Sequence, residues 1–317
     1  MESERMLHPI IEQDGVDTQN EVVKEEKRLR VDNQPYGKFL ENVKKHLFVN
    51  HPYRWTTIGE MDHLDAATLD EFLAFNKKFY VPNNAVLVVA GDIDIDKTKT
   101  MVEAYFGAIP RGADIERVSL TEEPIQEELK AEAFDSNIQI PAIITAYRTP
   151  SFKSRESRIL DMISTYLSDG PSSKLYKRLV DEKKMALQSG AINIAQEDYG
   201  MYVIFGLPQG EFKLTDLISE MDDEILKIQN NLISERDYQK LLNKFENGFV
   251  SSNASVEGIA NSLARYHMLY GDTNLINNEI DIYRSITREE IREVANKYLN
   301  TNQRLVLEYL PEPEKAN

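Results

Sequence analysis

The sequence predicts an α+β protein of two domains. Helical periodicities alternate with short β-rich runs, composition shifts about a third of the way along the chain, and one helix-then-strand pattern occurs twice. At 317 residues, two domains is the ordinary expectation. The chain opens on MESERML, charged from its second residue, which is no secretory leader and reads like the middle of an amphipathic helix. An opening of that kind is expected where a chain starts partway into a domain. Helical periodicity runs from Glu21 to Phe48, broken by Asn33-Gln34-Pro35-Tyr36-Gly37. His51-Pro52-Tyr53-Arg54-Trp55 is loop-like, and residues 65–80 form a helix with Leu69, Phe72, Leu73, Asn76 and Phe79 along one stripe. Residues 85–90, AVLVVA, read as a buried strand, and residues 94–106 as a further helix.

From Ile109-Pro110-Arg111-Gly112 onward periodicity lapses, in a stretch that carries Glu122, Glu123, Glu127, Glu128 and Glu132. The expected organisation is therefore a first domain at 1–112, an acidic linker at 113–135 and a second domain at 136–317. In the second domain, residues 137–147 are β-rich. Helices follow at 156–167 and 173–182, around the turn Ser168-Asp169-Gly170-Pro171. Residues 187–195 and 201–207 form a hairpin, three helices span 214–229, 234–250 and 256–270, and Thr287 with Glu290 is a capping box for the last long helix. Residues 304–310 are a closing strand. The repeat lies here: the helix at 65–80 leads into Asn83-Asn84-Ala85-Val86-Leu87, and the helix beginning at Thr287 leads into Asn302-Gln303-Arg304-Leu305-Val306. Helix-then-strand is a common succession, but the shared Lys-aromatic helix ends and the Asn that opens each strand favour a duplicated domain.

Acidic residues outnumber basic ones 53 to 37, a formal net charge of −16. This argues against a nucleic-acid partner, which requires a basic face. No apolar run approaches the roughly 20 residues of a membrane-spanning helix. With no cysteine, disulfides, thiol nucleophiles and thiolate metal sites are all ruled out. The five histidines, His8, His46, His51, His63 and His267, include no pair at helical i, i+4 spacing, so neither H-E-x-x-H nor H-x-x-E-H is present. Each is expected to be a surface or satisfied core histidine. There is no G-x-G-x-x-G, phosphate-loop or G-x-S-x-G pattern, and Ser172-Ser173 is expected to be a helix N-cap. The cluster Glu21, Glu25 and Glu26 lies among Lys24, Lys27, Arg28 and Arg30, with Glu26 and Arg30 at i, i+4 spacing. It reads either as a solvated charged face or as a helix with one inward, metal-binding carboxylate, and periodicity does not choose between them.

Several segments, in order along the chain, resemble the M16 metallopeptidases (pitrilysin, insulinase and mitochondrial processing peptidase): QNEVVKEEKR at 19–28, NQPYG at 33–37, HPYRW at 51–55 with Ile58-Gly59, YVPNNA at 80–85 with Gly91-Asp92, and SSKLY at 172–176. The resemblance implies two homologous sheet-plus-helices (LuxS/MPP-like) domains, the first incomplete. It further implies a zinc endopeptidase that cleaves peptides or unfolded polypeptides with metal-activated water. The family's zinc is held by an H-x-x-E-H helix and a later glutamate, and only the glutamate has a counterpart here, Glu26. Zinc catalysis needs about three protein ligands, an open water position and a general base. This chain alone is therefore expected to bind zinc weakly or not at all and to be inactive, without catalytic residues of its own. The family's substrate-holding Arg and Tyr fall at Val180 and Leu187, neither of which offers a side-chain donor. That implies a second M16 subunit or domain as partner and an extended peptide as substrate, with a slight lean toward basic peptides, and neither nucleic acid nor a membrane. A non-catalytic partner subunit that shapes the substrate chamber is the alternative. Compartment stays open between bacterial periplasm and cytoplasm.

Overall fold

A computed structural model describes residues 1–117 and 119–313. The helices in chain order are α1 (Glu2–Leu7), α2 (Gln13–Lys27), α3 (Phe39–Leu47), α4 (Met61–Ala66), α5 (Leu69–Phe79), α6 (Ile95–Phe106), α7 (Arg155–Ser168), α8 (Leu214–Asn230), α9 (Glu235–Ser252), α10 (Val256–Arg265), α11 (Leu275–Arg284) and α12 (Arg288–Tyr298). The strands are β1 (Leu129–Asp135), β2 (Ala142–Pro150), β3 (Ala186–Ile194), β4 (Tyr199–Pro208) and β5 (Arg304–Pro311). Two compact units result. One gathers Met1–Leu29, Thr57–Ser119 and Phe249–Asn277; the other gathers Arg30–Thr56, Leu120–Gly248 and the described residues from Asn278 onward.

The second unit is built on one five-stranded sheet in the order β1-β5-β2-β4-β3. β1 and β5 run parallel, and every other pair is antiparallel. Alternation of side chains along each strand sends Tyr147, Tyr202, Ile204 and Val306 to one face. There they meet Leu160 and Ile163 of α7, Met221 of α8, and Ile291 and Val294 of α12. Ile144, Ala146, Val203, Leu305 and Leu307 go to the other face, against Val43 and Leu47 of α3. Residues before Thr57 thus supply a layer of this unit, which a boundary drawn once along the sequence does not capture.

Caps set where the helices begin. Thr68 and Thr287 each accept from the amide three residues on, while Glu71 and Glu290 reach back to the cap amides. Ser154 and Asp94 cap α7 and α6. The predicted hairpin is β3–β4, and the predicted closing strand is β5.

Several expectations are corrected. The helix expected over 65–80 is two helices, because Thr68 caps a new start. Part of the expected acidic linker is a strand: Leu129, Ala131 and Ala133 turn inward, while Lys130, Glu132 and Phe134 are exposed. Ser172-Ser173 is no side-chain cap, since the Ser173 hydroxyl has no hydrogen-bond partner among the described residues and the Ser172 hydroxyl accepts from Lys240. Residues 85–90 are not in a ladder. They run with Leu87 and Val89 exposed and Val86 and Val88 half-buried, and no strand pairs with them among the described residues. Their residue types suit a strand, but a ladder also needs a neighbouring backbone.

Candidate functional site

Glu26 lies near the end of α2, in the first unit. Asn20 of α2 donates to the Leu64 carbonyl (3.1 Å), and Lys24 bonds Asp65 (2.6 Å), so the helix is fastened along one side to α4. Adjacent helical residues point about 100° apart, and here they differ in surroundings as well. Glu26 is half-buried, whereas Glu25 is exposed and bonded to Arg28 at 3.0 Å.

In the second unit, Val180 and Leu187 also lie apart in character. Val180 sits in the π-helical turn Tyr176–Glu182 and packs against the core; Leu187 is exposed at the start of β3. The same turn carries a polar cluster formed by Arg178, which bonds Glu220 and Asp223 on α8, the latter at 2.8 Å. Burial raises the Glu220 carboxyl, but Lys183 and Arg178 outweigh it and hold it below its ordinary value.

The most elaborate polar arrangement in this unit escaped sequence reasoning. One carboxylate oxygen of Glu122 accepts the backbone N–H groups of Val49, Asn50 and His51 at 2.9, 2.7 and 2.6 Å. Arg148 of β2 reaches the other oxygen at 3.3 Å and also donates to the carbonyls of Leu47 and Glu123. The Glu122 side chain is only 2% exposed. Its burial opposes ionisation, yet the three amides and Arg148 prevail and keep its carboxyl below the usual range. His51 is buried beside it. Its Nδ1 accepts the Tyr53 amide, which leaves Nε2–H for Asp198 (3.2 Å), and Tyr53 and Tyr199 pack edge-on against the ring. Of the two expectations for each histidine, surface or satisfied core, His51 meets the second, and Glu122 is a clamp that ties the chain segment before β1, together with Arg148 of β2, to the 49–51 loop. No local signal announces this, because the amides come from residues more than 70 positions away.

Among the described residues, no group of three or more His, Asp or Glu side chains could hold a metal ion. The described residues do not by themselves fit a zinc centre. No helix among them is long and apolar enough to cross a membrane.

A five-stranded mixed sheet with helices packed on its faces defines an α+β protein. The family model described as the peptidase M16 inactive domain matches residues 66–245, and the chain belongs to the M16 peptidase family. It is 26% identical over 288 residues to the zinc protease PqqE of Helicobacter pylori, covering 90% of this chain and 64% of that protein. An uncharacterized zinc protease of Mycobacterium leprae is 22% identical over 289 residues. The chain thus spans about 64% of the length of these curated relatives. Among solved structures, a protease from Helicobacter pylori superposes with a TM-score of 0.88 at 25% identity, covering 98% of this chain and 74% of that one. A peptidase M16 inactive domain from Pseudomonas fluorescens gives a TM-score of 0.83 at 15% identity, with 99% and 74% covered.

Proposed function

We propose that this chain is part of an M16 zinc endopeptidase, to which it contributes one metal-ligating carboxylate, Glu26, and the second of two homologous domains. The histidine ligands and the general base come from another M16 segment, in the same or a partner polypeptide. The observation that carries this reading is the divergence of Glu25 and Glu26: Glu25 is turned to solvent and held by Arg28, while Glu26 is half-buried on a helix fastened to α4. Exposed apolar side chains of the first unit support it. Phe75, Tyr80, Leu87 and Val89 are exposed there, as an interface awaiting apolar cover requires. The substrate is an extended peptide or unfolded polypeptide.

The test combines this chain with an M16 segment that bears H-x-x-E-H and measures zinc content and peptide hydrolysis. Glu26→Gln should abolish both, and Glu25→Gln should leave both near normal. The isolated chain should bind zinc weakly and cleave nothing. Equal effects of the two substitutions, or chelator-sensitive hydrolysis by the isolated chain, would overturn the reading.

The second reading is a non-catalytic M16 partner that shapes the substrate chamber. It is favoured by the match of residues 66–245 to the family model described as the peptidase M16 inactive domain. It predicts that Glu26→Gln leaves the zinc content of the assembled enzyme unchanged.

A further inference from the structure

The sheet face that packs against α7, α8 and α12 carries a polar row across four strands. Arg304 of β5 stands in register with Tyr147 of β2, Tyr147 with Tyr202 of β4, and Tyr202 with Asn193 of β3. At one end the row is saturated. Arg304 holds Asp222 with two bonds, at 2.5 and 3.1 Å, and also reaches Glu128 at 3.0 Å and the Tyr147 hydroxyl at 3.3 Å. The other end is not. The Asn193 amide nitrogen donates to the Ser157 carbonyl (3.2 Å) and to Asp161 (2.8 Å), both on α7. Those two acceptors fix which way the amide faces, so the remaining group is its oxygen. Both that oxygen and the Tyr202 hydroxyl are buried and lack a hydrogen-bond partner among the described residues. Directly opposed residues on antiparallel strands hold their Cβ atoms about 4.5–5.5 Å apart, so the two side chains arise side by side beneath α7.

Buried hydroxyls and amides in native cores are almost always bonded, to protein or to ordered water. Burial first, and then Tyr147 and Asp161, push the Tyr202 phenol far above its ordinary value, so it stays protonated and must donate. The Asn193 oxygen can only accept. A partner that serves both must accept one hydrogen bond and donate another. A metal cation can do neither, and no group of three acidic or histidine side chains surrounds one here among the described residues.

We propose that Tyr202, Asn193 and Asp161 form the binding site of one internal water molecule beneath α7. The water accepts from the Tyr202 hydroxyl and donates to the Asn193 oxygen and to the Asp161 carboxylate. Three bonds are the usual complement of a buried water. It would stitch α7 to β3 and β4 where side chains alone leave a gap in the bonding.

The test is a high-resolution crystal structure of the chain together with a Tyr202→Phe variant. The parent should show an ordered solvent peak within hydrogen-bond distance of the Tyr202 and Asn193 oxygens. The variant should lose that peak and melt several degrees lower. Oxygen-17 relaxation dispersion in solution should count one fewer long-lived water in the variant, a readout that needs no crystal. A Tyr202 hydroxyl bonded directly to Asp161, no solvent peak in the parent, an unchanged count of long-lived waters, or a variant that melts no lower than the parent would each overturn the proposal.

Discussion

Residues 68–90 and 287–309 follow the same local plan and meet opposite fates. Each opens on a threonine that shares a capping box with a glutamate three residues on. Each continues through an eleven-residue α-helix into a three-residue 3-10 turn, Pro82–Asn84 or Thr301–Gln303, and then into an extended apolar run. In the later segment the helix buries Ile291, Val294 and Ala295, and the run is β5, paired on both sides. In the earlier one the helix buries no residue and the run pairs with nothing among the described residues. At equivalent positions Tyr80 is 62% exposed against 1% for Leu299, and Phe75 57% against 5% for Val294. Capping is a contract between residues three apart and is kept wherever the sequence writes it. Burial is a contract with distant elements, and the same local sequence cannot enforce it.

The comparison can be broken or sharpened experimentally. Amide exchange should give the widest separation. Amides of β5 bonded into the ladder should exchange only through global opening, and those of residues 86–89 orders of magnitude faster. Protection of Val88 equal to that of Leu307 would break the contrast outright. Next come side-chain truncations. Leu299→Ala should cost about 2–5 kcal/mol in urea unfolding, and Tyr80→Ala less than about 0.5 kcal/mol. A similar loss at both would mean that Tyr80 belongs to a packed core. Removing the caps has a smaller effect: Thr287→Ala should cost about 1 kcal/mol, while Thr68→Ala should fray α5 without moving the global transition.

The smallest separation lies in acid. Arg155, followed by the Thr287 amide, overcomes burial and holds the Glu290 carboxyl down to about 2; the Thr68 amide and hydroxyl hold Glu71 below its ordinary 4.5 without an arginine. A depressed carboxylate stabilises the fold above its unfolded-state pKa and loses that contribution as pH falls through the folded one. Stability should therefore decline from about pH 4.5 toward 2 through Glu290, and Glu290→Gln should flatten that part of the pH profile. An unchanged profile would show that the Arg155 contact at 2.7 Å is not maintained in solution.

What was legible in the sequence was local. The Thr287–Glu290 box, the hairpin and the long helices are written in residues a few positions apart. Residues 85–90 have the composition of a strand, but composition does not record whether a neighbour is present. β1 was hidden for the opposite reason: two of its inward residues, Ala131 and Ala133, are small, and Lys130 and Glu132 lend it the look of a linker. α11 went unread, since LINNEIDIYR follows a turn without a capping signature. As for the site, Glu26 was singled out only through the family resemblance, because the cluster at 21–30 carries three acidic and four basic residues that periodicity cannot rank. The Glu122 clamp was illegible, since its partners are backbone amides of no particular residue type.

The position of β5 has a consequence for synthesis. Arg304–Pro311 inserts between β1 and β2, strands that precede it by more than 150 residues. Until that segment leaves the ribosome, β1 has no neighbour and β2 offers one bare backbone edge. At roughly 5–20 residues added per second, that edge stays open for many seconds after β2 has emerged. The nascent chain is then at its most susceptible to wrong pairing, and the sheet of this unit can close only after translation of this interior strand, as a late, long-range step.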